Sequence, residues 1–507
     1  MPRYFPDLSE FTSAARTADI VPVYRQLLAD HLTPVTAFEV LGRDAHAFLL
    51  ESVVGGENVA RHSFIATAPA VVYEASAGKA SIKSQHGFSR PEIDRTFDTT
   101  DPLGDLEKLL PRGRFHRDKN LPAFTGGLVG FAGYDTIRYY EPDKLNHPPK
   151  DDRHLPDLLF GLYTELVIFD HVDKTIKVVA NAFTAGNGPQ AAGTEAAYRD
   201  ACRRIDTIVQ RLQQPARSSL GEIDPKAPLT LKFESNFTQD GFEKAIEAGK
   251  EYIRAGDIFQ FVPSQRLRVP SDASPFDVYR ALRVVNPSPF MFYLKCPQCT
   301  LIGSSPEILC RVQNGIATSR PLAGTRRRGA TEEEDLALEK ELLADPKERA
   351  EHIMLVDLHR NDIGRVSEVG SVVVSEQMSV ERYSHVMHIT TNVHGTLRSD
   401  MTCFDALRVS LPVGTVSGAP KIRAMQIIDE LEPTRRGPYG GAVGYMDLAG
   451  NMDTCIALRT IVWRQGTFDV QAGAGVVADS IPASEYEETM NKARAMLKGV
   501  EIAEKGF

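Results

Sequence analysis

What the 507-residue chain has little of narrows the field first. Six cysteines in that length make no disulfide framework. Cys296 and Cys299 are the only close pair, and no second C-x-x-C or C-x-x-H follows at zinc spacing. Cys296-Pro-Gln-Cys299 therefore reads as a surface turn between two strands, rather than a redox pair or half of a zinc site. Positive charge is not in excess: 58 Lys and Arg stand against 67 Asp and Glu, a formal net charge of −9. That balance argues against non-specific nucleic-acid binding, which needs a basic face, while leaving room for a small anion at a locally basic site. The most apolar stretch, Leu155 to Phe169, is broken by Asp157 and Glu165 and is too short to cross a bilayer. Met1 to Glu10 lacks a basic start followed by an apolar run, so a cytoplasmic, membrane-free protein is expected. Internal repeats and low-complexity tracts are missing, as are G-x-x-x-x-G-K-[ST] and Rossmann G-x-G-x-x-G, so no nucleotide is indicated.

What is there is ordinary globular composition, 42% hydrophobic and 25% charged, in a length that predicts two large units or an interwoven pair. Short alternating apolar segments from Phe38 to Ala70, from Gly126 to Phe131 and from Glu165 to Ala180 predict antiparallel strands. Thr194 to Gln213 has helical spacing. The stretch from Gln213 to Pro228 is rich in Pro, Ser and Gly, which divides the chain into residues 1–214, a linker at 215–228 and residues 229–507. Beyond it, Thr238 to Ala255 predicts a helix closed by Gly256, followed by a strand from Ile258 to Val262. Thr331 with Glu334 predicts a capping box for a helix through Leu343. Asp345, Pro346 and Glu348 start another helix to about Arg360, and Ser484 with Glu487 caps a last one ending near Glu504. Long strands with helices between and after them predict an α+β fold.

Three constellations carry chemistry. Glu348 and Glu351 open one helix, and Glu485 and Glu488 open the last; at i and i+3 the carboxylates of each E-x-x-E step share a face. If the faces meet, four carboxylates converge and repel one another unless a hard cation such as Mg²⁺ joins them. If they do not, they are solvated helix starts favoured by the dipole. Next come glycine-rich turns beside basic or hydroxyl residues: Ala323-Gly324-Thr325-Arg326, Gly414 to Lys421, and Gly473-Ala474-Gly475. Their backbone N–H groups can approach an anion closely, although each can equally be a plain turn. Last are polar residues on apolar stretches. His388 follows His385 in H-x-x-H but leads into a strand-like run, which excludes a helical metal pair and leaves a core histidine or an acid–base group. Arg459, in the apolar strand expected from Ile456 to Val462, needs an anionic partner, and a substrate carboxylate would serve.

These pieces, in this order, resemble the chorismate-utilising enzymes, and among them the anthranilate synthase large subunits. The likeness runs through Ser235-Asn236-Phe237, Gly256 to Gln260, Gly303 to Glu307, Pro321 to Gly329, Glu351 to Asp357, Gly414 to Lys421, Ala457 to Thr460 and Glu488 to Ala493. In the N-terminal half it is thinner: Leu49 to Ser52, Arg61 to Phe64 and Gly126 to Asp135. The resemblance implies two interleaved antiparallel sheets flanked by helices. It implies Mg²⁺ held by Glu351 and Glu488, with Glu348 and Glu485 behind them. Chorismate would be held by Gly324, Thr325, Gly473, Ala474, Gly475 and Lys492 around the ring and its carboxylate, and by Tyr439 and Arg459 at the enolpyruvyl carboxylate. Glu307 would help the C4 hydroxyl leave, and His388 would act as pyruvate is lost.

Two positions separate sister enzymes. Aminodeoxychorismate synthases commonly carry a nucleophilic Lys in P-I-K-G-T, where this chain has Ala323. Isochorismate and salicylate synthases carry a water-activating Lys, where it has Gln260. With neither lysine present, ammonia is the implied nucleophile. None of the cysteines lies in a G-x-C-x-G elbow, so a separate glutamine amidotransferase subunit, and hence a hetero-oligomer, is expected. Leu49 to Ser52 and Asn286 to Met291, with Ser52, Pro289, Phe290 and Met291, correspond to the family's site for feedback by L-tryptophan. His62 and Ala66 replace the family's usual Tyr and Gly there, and Arg327 and Val413 replace a common Pro and Ala. The alternatives are an aminodeoxychorismate synthase component, disfavoured by Ala323, and a non-catalytic tryptophan sensor, disfavoured by the acidic cluster.

Overall fold

Apolar residues alternating along short strands need one face covered, and here two large antiparallel sheets cover each other. The computed structural model describes residues 3–28, 30–52, 61–84, 94–184, 193–216, 221–383 and 386–506; His385 and part of the linker lie outside them. Among the described residues the first sheet has eleven strands. It runs from Ile20–Leu28 through Thr175–Phe183, Glu165–Asp170, His62–Thr67 and Ala47–Glu51 to Phe290–Lys295 and Thr300–Ser305. Thr460–Arg464, Thr467–Gly473, Ser264–Pro270 and Glu234–Ser235 complete it. The second has twelve among the same residues, from Leu322–Arg327 and Val386–Thr396 through Ile308–Gln313, Met452–Ile456 and Ala442–Asp447 to Gly127–Ala132, Leu158–Tyr163 and Arg95–Asp98.

Each sheet passes once between the two halves of the chain. Ala47–Glu51 pairs with Phe290–Lys295, Leu49 opposite Tyr293, and Gly127–Ala132 pairs with Ala442–Asp447, Phe131 opposite Val443. Strands from before and after the linker complete one another's sheets, the interleaved α+β arrangement expected.

Phe48, Phe131, Tyr163, Phe292, Val443 and Cys455 belong to the core between the sheets. Burying a side chain such as Phe48 or Phe292 stabilises by about 1.5–3 kcal/mol. The outer face of the first sheet is covered by helices Thr194–Leu212, Pro275–Val285 and Pro482–Lys505 through Ala201, Ile205, Leu282, Leu497 and Val500. Phe404, Leu407 and Ile363 cover the second from Cys403–Ser410 and Pro346–Gly364.

Local structure differs from the expectations at several elements. Phe38 to Leu41 is the end of a helix, Pro34–Leu41, because Thr33 and Thr36 form a capping box and Pro34 sits in its first turn. The strand expected over Ile258 to Val262 shrinks to Gln260–Phe261, paired with Gly418–Ala419. At Thr331 only half the box forms: Thr331 accepts from the Glu334 N–H, but the Glu334 carboxylate turns to the Ala330 N–H. The last helix starts at Pro482, two residues before Ser484, since proline is pre-organised for a first helical turn. Cys296 and Cys299 do sit in the turn between two strands, but buried in the inter-sheet core rather than at the surface, with their Sγ atoms 3.8 Å apart.

Candidate active site

The long helix Pro346–Gly364 is capped by Asp345, whose carboxylate accepts from the Lys347 and Glu348 N–H groups at 2.9 and 3.3 Å. That cap fixes Glu348 and Glu351 in the first two turns. The helix Pro482–Lys505 presents Glu485 and Glu488 from its own start. The two faces meet: burial holds the Glu351 carboxyl above its ordinary range, and the Glu348 and Glu488 carboxylates push it further. Each carboxylate has a partner in the chain itself. Arg326 donates to Glu348 at 3.2 Å, Gln260 to Glu351 at 3.2 Å, and Lys492 lies 2.6 Å from Glu488. Burial also raises Glu485, against a hydrogen bond with Ser480. Among the described residues no group of three or more His, Cys, Asp or Glu converges closely enough to cage a metal ion.

Two glycine turns bring backbone against these carboxylates. A Cβ on Gly475 would come 2.7 Å from Gln260 Nε2 and 3.5 Å from Glu351 Oε1. Gly324 has φ +67, a left-handed conformation that favours glycine, and a Cβ there would sit 3.2 Å from Glu348 Oε2. Lys492 Nζ donates to the Gly473 carbonyl at 3.0 Å, and the Gly473 N–H reaches the buried Tyr439 hydroxyl.

Glu307 follows the strand Thr300–Ser305 and is only 3% exposed. Burial pushes its carboxyl up to about 8, although Thr415 Oγ1 donates to it at 3.0 Å and the Leu322 N–H also favours the charged form. At neutral pH it is a carboxylic acid, with a proton to give. Arg459 faces it. The residue is not inside a strand, as the apolar run suggested, but between Met452–Ile456 and Thr460–Arg464 with φ +48. Burial lowers its pKa, while Tyr439, Glu307 and Glu488 pull the other way. The side chain is half-buried, and its guanidinium makes no hydrogen bond or ion pair with any described residue, which leaves it open to an anion.

His388 sits in the strand Val386–Thr396 beside the Gly324 turn. Its Nδ1 lies 2.8 Å from the Gly324 carbonyl and 3.2 Å from Thr325 Oγ1. Burial lowers its pKa to about 4, so the ring is neutral at pH 7. A carbonyl only accepts, so Nδ1 carries the hydrogen and Nε2 keeps its lone pair.

His388, Glu307, Tyr439, Arg459, Lys492, both E-x-x-E steps and the turns at Gly324 and Gly473 thus share one region. Thr415 on Glu307, Gln260 on Glu351 and Arg326 on Glu348 were missed as contacts, although all three lie in the motifs already singled out. The regulatory candidates Phe290 and Met291 pair with Ser305 and Ser304, on the strand that leads to Glu307. Continuing the register in which Met291 faces Glu51 sets Ser52 opposite Phe290. Ser52 Oγ is buried without a hydrogen-bond partner.

The model of the family described as chorismate binding enzyme matches residues 46–498. This chain belongs to that family. Curated relatives include anthranilate synthase component 1 of Acetivibrio thermocellus, 48% identical over 504 residues, 99% of each chain. The chloroplastic anthranilate synthase alpha subunit 1 of Arabidopsis thaliana is 43% identical, over 99% of this chain and 89% of that one. Among solved structures, anthranilate synthase component I from Streptococcus pneumoniae is 40% identical with a TM-score of 0.75, over 86% of this chain and 92% of that one. The menaquinone-specific isochorismate synthase of Escherichia coli, 16% identical with a TM-score of 0.68, shares the fold. The resemblance read from the motifs holds along nearly the whole length of this chorismate-binding enzyme. No helix among its described residues is long and apolar enough to cross a membrane.

Proposed function

We propose that the chain is the chorismate-aminating component of an anthranilate synthase, converting chorismate and ammonia to anthranilate and pyruvate in a cytoplasmic setting. The observation that carries this reading is the pair formed by a protonated, buried Glu307 and a half-buried Arg459 that no described residue pairs with. A dianionic substrate supplies what that pair lacks: a carboxylate for Arg459 and Tyr439, and a hydroxyl leaving group for the acid.

In this reading the enolpyruvyl carboxylate lies on Arg459 and Tyr439. The ring carboxylate lies near Lys492 and the N–H groups of Gly324, Thr325 and Gly473 to Gly475. Ammonia adds at C2, and Glu307 protonates the C4 oxygen as it departs. The neutral His388, with its Nε2 lone pair, takes the C2 proton as pyruvate is eliminated and the ring becomes aromatic. Ala323 and Gln260 offer no nucleophile of their own, which favours free ammonia over the amination and hydration routes of sister enzymes.

The oxygen-only donor set of Glu351 and Glu488, backed by Glu348 and Glu485, fits Mg²⁺. Like charges that raise the Glu351 carboxyl are what a hard cation relieves. When bound, such an ion neutralises the ring carboxylate and polarises the leaving group. A glutamine amidotransferase subunit would supply the ammonia. L-tryptophan would regulate by binding at Ser52, Pro289, Phe290 and Met291; the orphaned Ser52 Oγ offers a polar anchor beside an apolar strand. From there Ser288 and Asn286 bond Ser304 Oγ at 2.9 and 3.1 Å, and the Ser304 N–H donates to the Arg459 carbonyl at 3.1 Å.

The test is nucleophile choice. The purified chain is expected to make fluorescent product from chorismate, Mg²⁺ and ammonium salt at high pH, and none from glutamine. Release of glutamate from glutamine by the chain alone would defeat the separate-subunit reading.

A further inference from the structure

Arg436 takes no part in the chemistry above, yet it is 2% exposed and its side chain bonds to segments that carry groups of the site. Its Nε lies 3.0 Å from Glu432 Oε2 and its Nη2 2.5 Å from Oε1. Nη1 donates to the Val416 carbonyl and Nη2 to the Val262 carbonyl, each at 2.6 Å. The guanidinium lies 4.5 Å from the Tyr134 ring centroid and 5.8 Å from that of Tyr439. Glu432, equally buried, accepts from the Ser264 N–H at 2.7 Å and its Oγ at 2.9 Å.

A buried ion pair is weak evidence for stability, because desolvation offsets most of the attraction. What distinguishes this one is where its arms end. Val416 follows Thr415, whose hydroxyl holds the Glu307 carboxyl. Val262 lies two residues beyond Gln260, whose amide holds Glu351. Tyr439 lies three residues along the chain from Arg436 itself. Arg436's own segment, the Val416 segment 20 residues before it and the Val262 segment 174 residues before it, each carrying one group of the site, are tied to one planar fork. A lysine in its place could not reach all of those acceptors at once.

We propose, resting on the reading of this site as a chorismate-aminating centre, that Arg436, braced by Glu432, is a positioning residue that fixes Thr415 with Glu307, Gln260 with Glu351, and Tyr439 relative to one another. Its role is geometric: it touches no substrate atom, and its removal loosens the pocket around the acid.

The test compares wild type with Arg436→Lys in ammonia-dependent turnover, at constant free NH₃ across pH, with melting temperature as the folding control. A misplaced acid predicts that kcat falls about ten- to a hundredfold while KM for chorismate moves less than about threefold. The alkaline limb of the pH–rate profile, set by Glu307 facing Thr415, Arg459 and Lys492, should move to lower pH. Desolvation is the main cause of that acid's weakness, and a loosened pocket admits water. Glu432→Gln should act in the same direction, and it carries both readouts if Arg436→Lys does not fold. A lower melting temperature with unchanged kcat and an unmoved alkaline limb overturns the proposal and leaves a merely structural brace. Wild-type protein inert toward chorismate and ammonia overturns the reading of the site as well.

Discussion

Replacing Glu307 by Gln separates stability from catalysis in one residue. The carboxyl is 3% exposed, and burial moves it from its ordinary 4.5 to about 8. Between those values the folded chain keeps a proton that the unfolded chain releases, so stability must fall as pH rises. The contribution is fully present below 4.5 and is lost by about 8. That span of about 3.5 pH, at about 1.4 kcal/mol per pH, is worth about 3–5 kcal/mol. Glutamine has the shape of the protonated acid and does not titrate. It keeps an oxygen for Thr415, but turns an amide toward either that hydroxyl or the Leu322 N–H, losing about 1 kcal/mol at every pH. Denaturant unfolding of both proteins from pH 5 to pH 9 should therefore give curves that diverge, the variant gaining about 3–5 kcal/mol on wild type across that range. Turnover should meanwhile fall by about 10² to 10⁴, the usual contribution of a general acid. Parallel stability curves would refute the reasoning, because Glu307 would then not be holding its proton. Near-normal turnover would remove it from the chemistry.

Other outcomes follow from the carboxylates and from the regulatory strand. EDTA is expected to abolish activity and Mg²⁺ to restore it; Glu488→Gln should mimic EDTA without rescue, and full turnover in chelator would end the metal assignment. Ser52→Phe should raise the inhibitory concentration of L-tryptophan by about tenfold or more, about 1.4 kcal/mol, with uninhibited turnover near normal. A tryptophan titration at fixed chorismate that finds the variant as sensitive as wild type places the regulatory site elsewhere.

The residues legible in the sequence were those whose signal is local. Two E-x-x-E steps at helix starts advertise shared faces, and an arginine in an apolar run advertises an anion. Helix Gln239–Arg254 ended where Gly256 said it would, since a left-handed C-terminal glycine acts on its immediate neighbours. What stayed hidden was set by distant strands. Thr415 reaches Glu307 across 108 residues, and Arg436 reaches Val262 across 174. No periodicity encodes such pairs; the sheets create them. Arg459 lies outside the strand that its apolar run suggests, because apolar residues at a strand junction read like a strand interior. Ser484 looked like a cap because Ser and Glu recur at cap spacing, yet Pro482 had already fixed the backbone two residues earlier.

The central claim is the fate of chorismate on this one chain. Purified protein, chorismate, Mg²⁺ and ¹⁵N-ammonium should give anthranilate carrying ¹⁵N together with an equal amount of pyruvate, read by fluorescence and mass. Chorismate consumed to isochorismate, or to an aminated product with its enolpyruvyl group intact and no pyruvate released, would contradict the account.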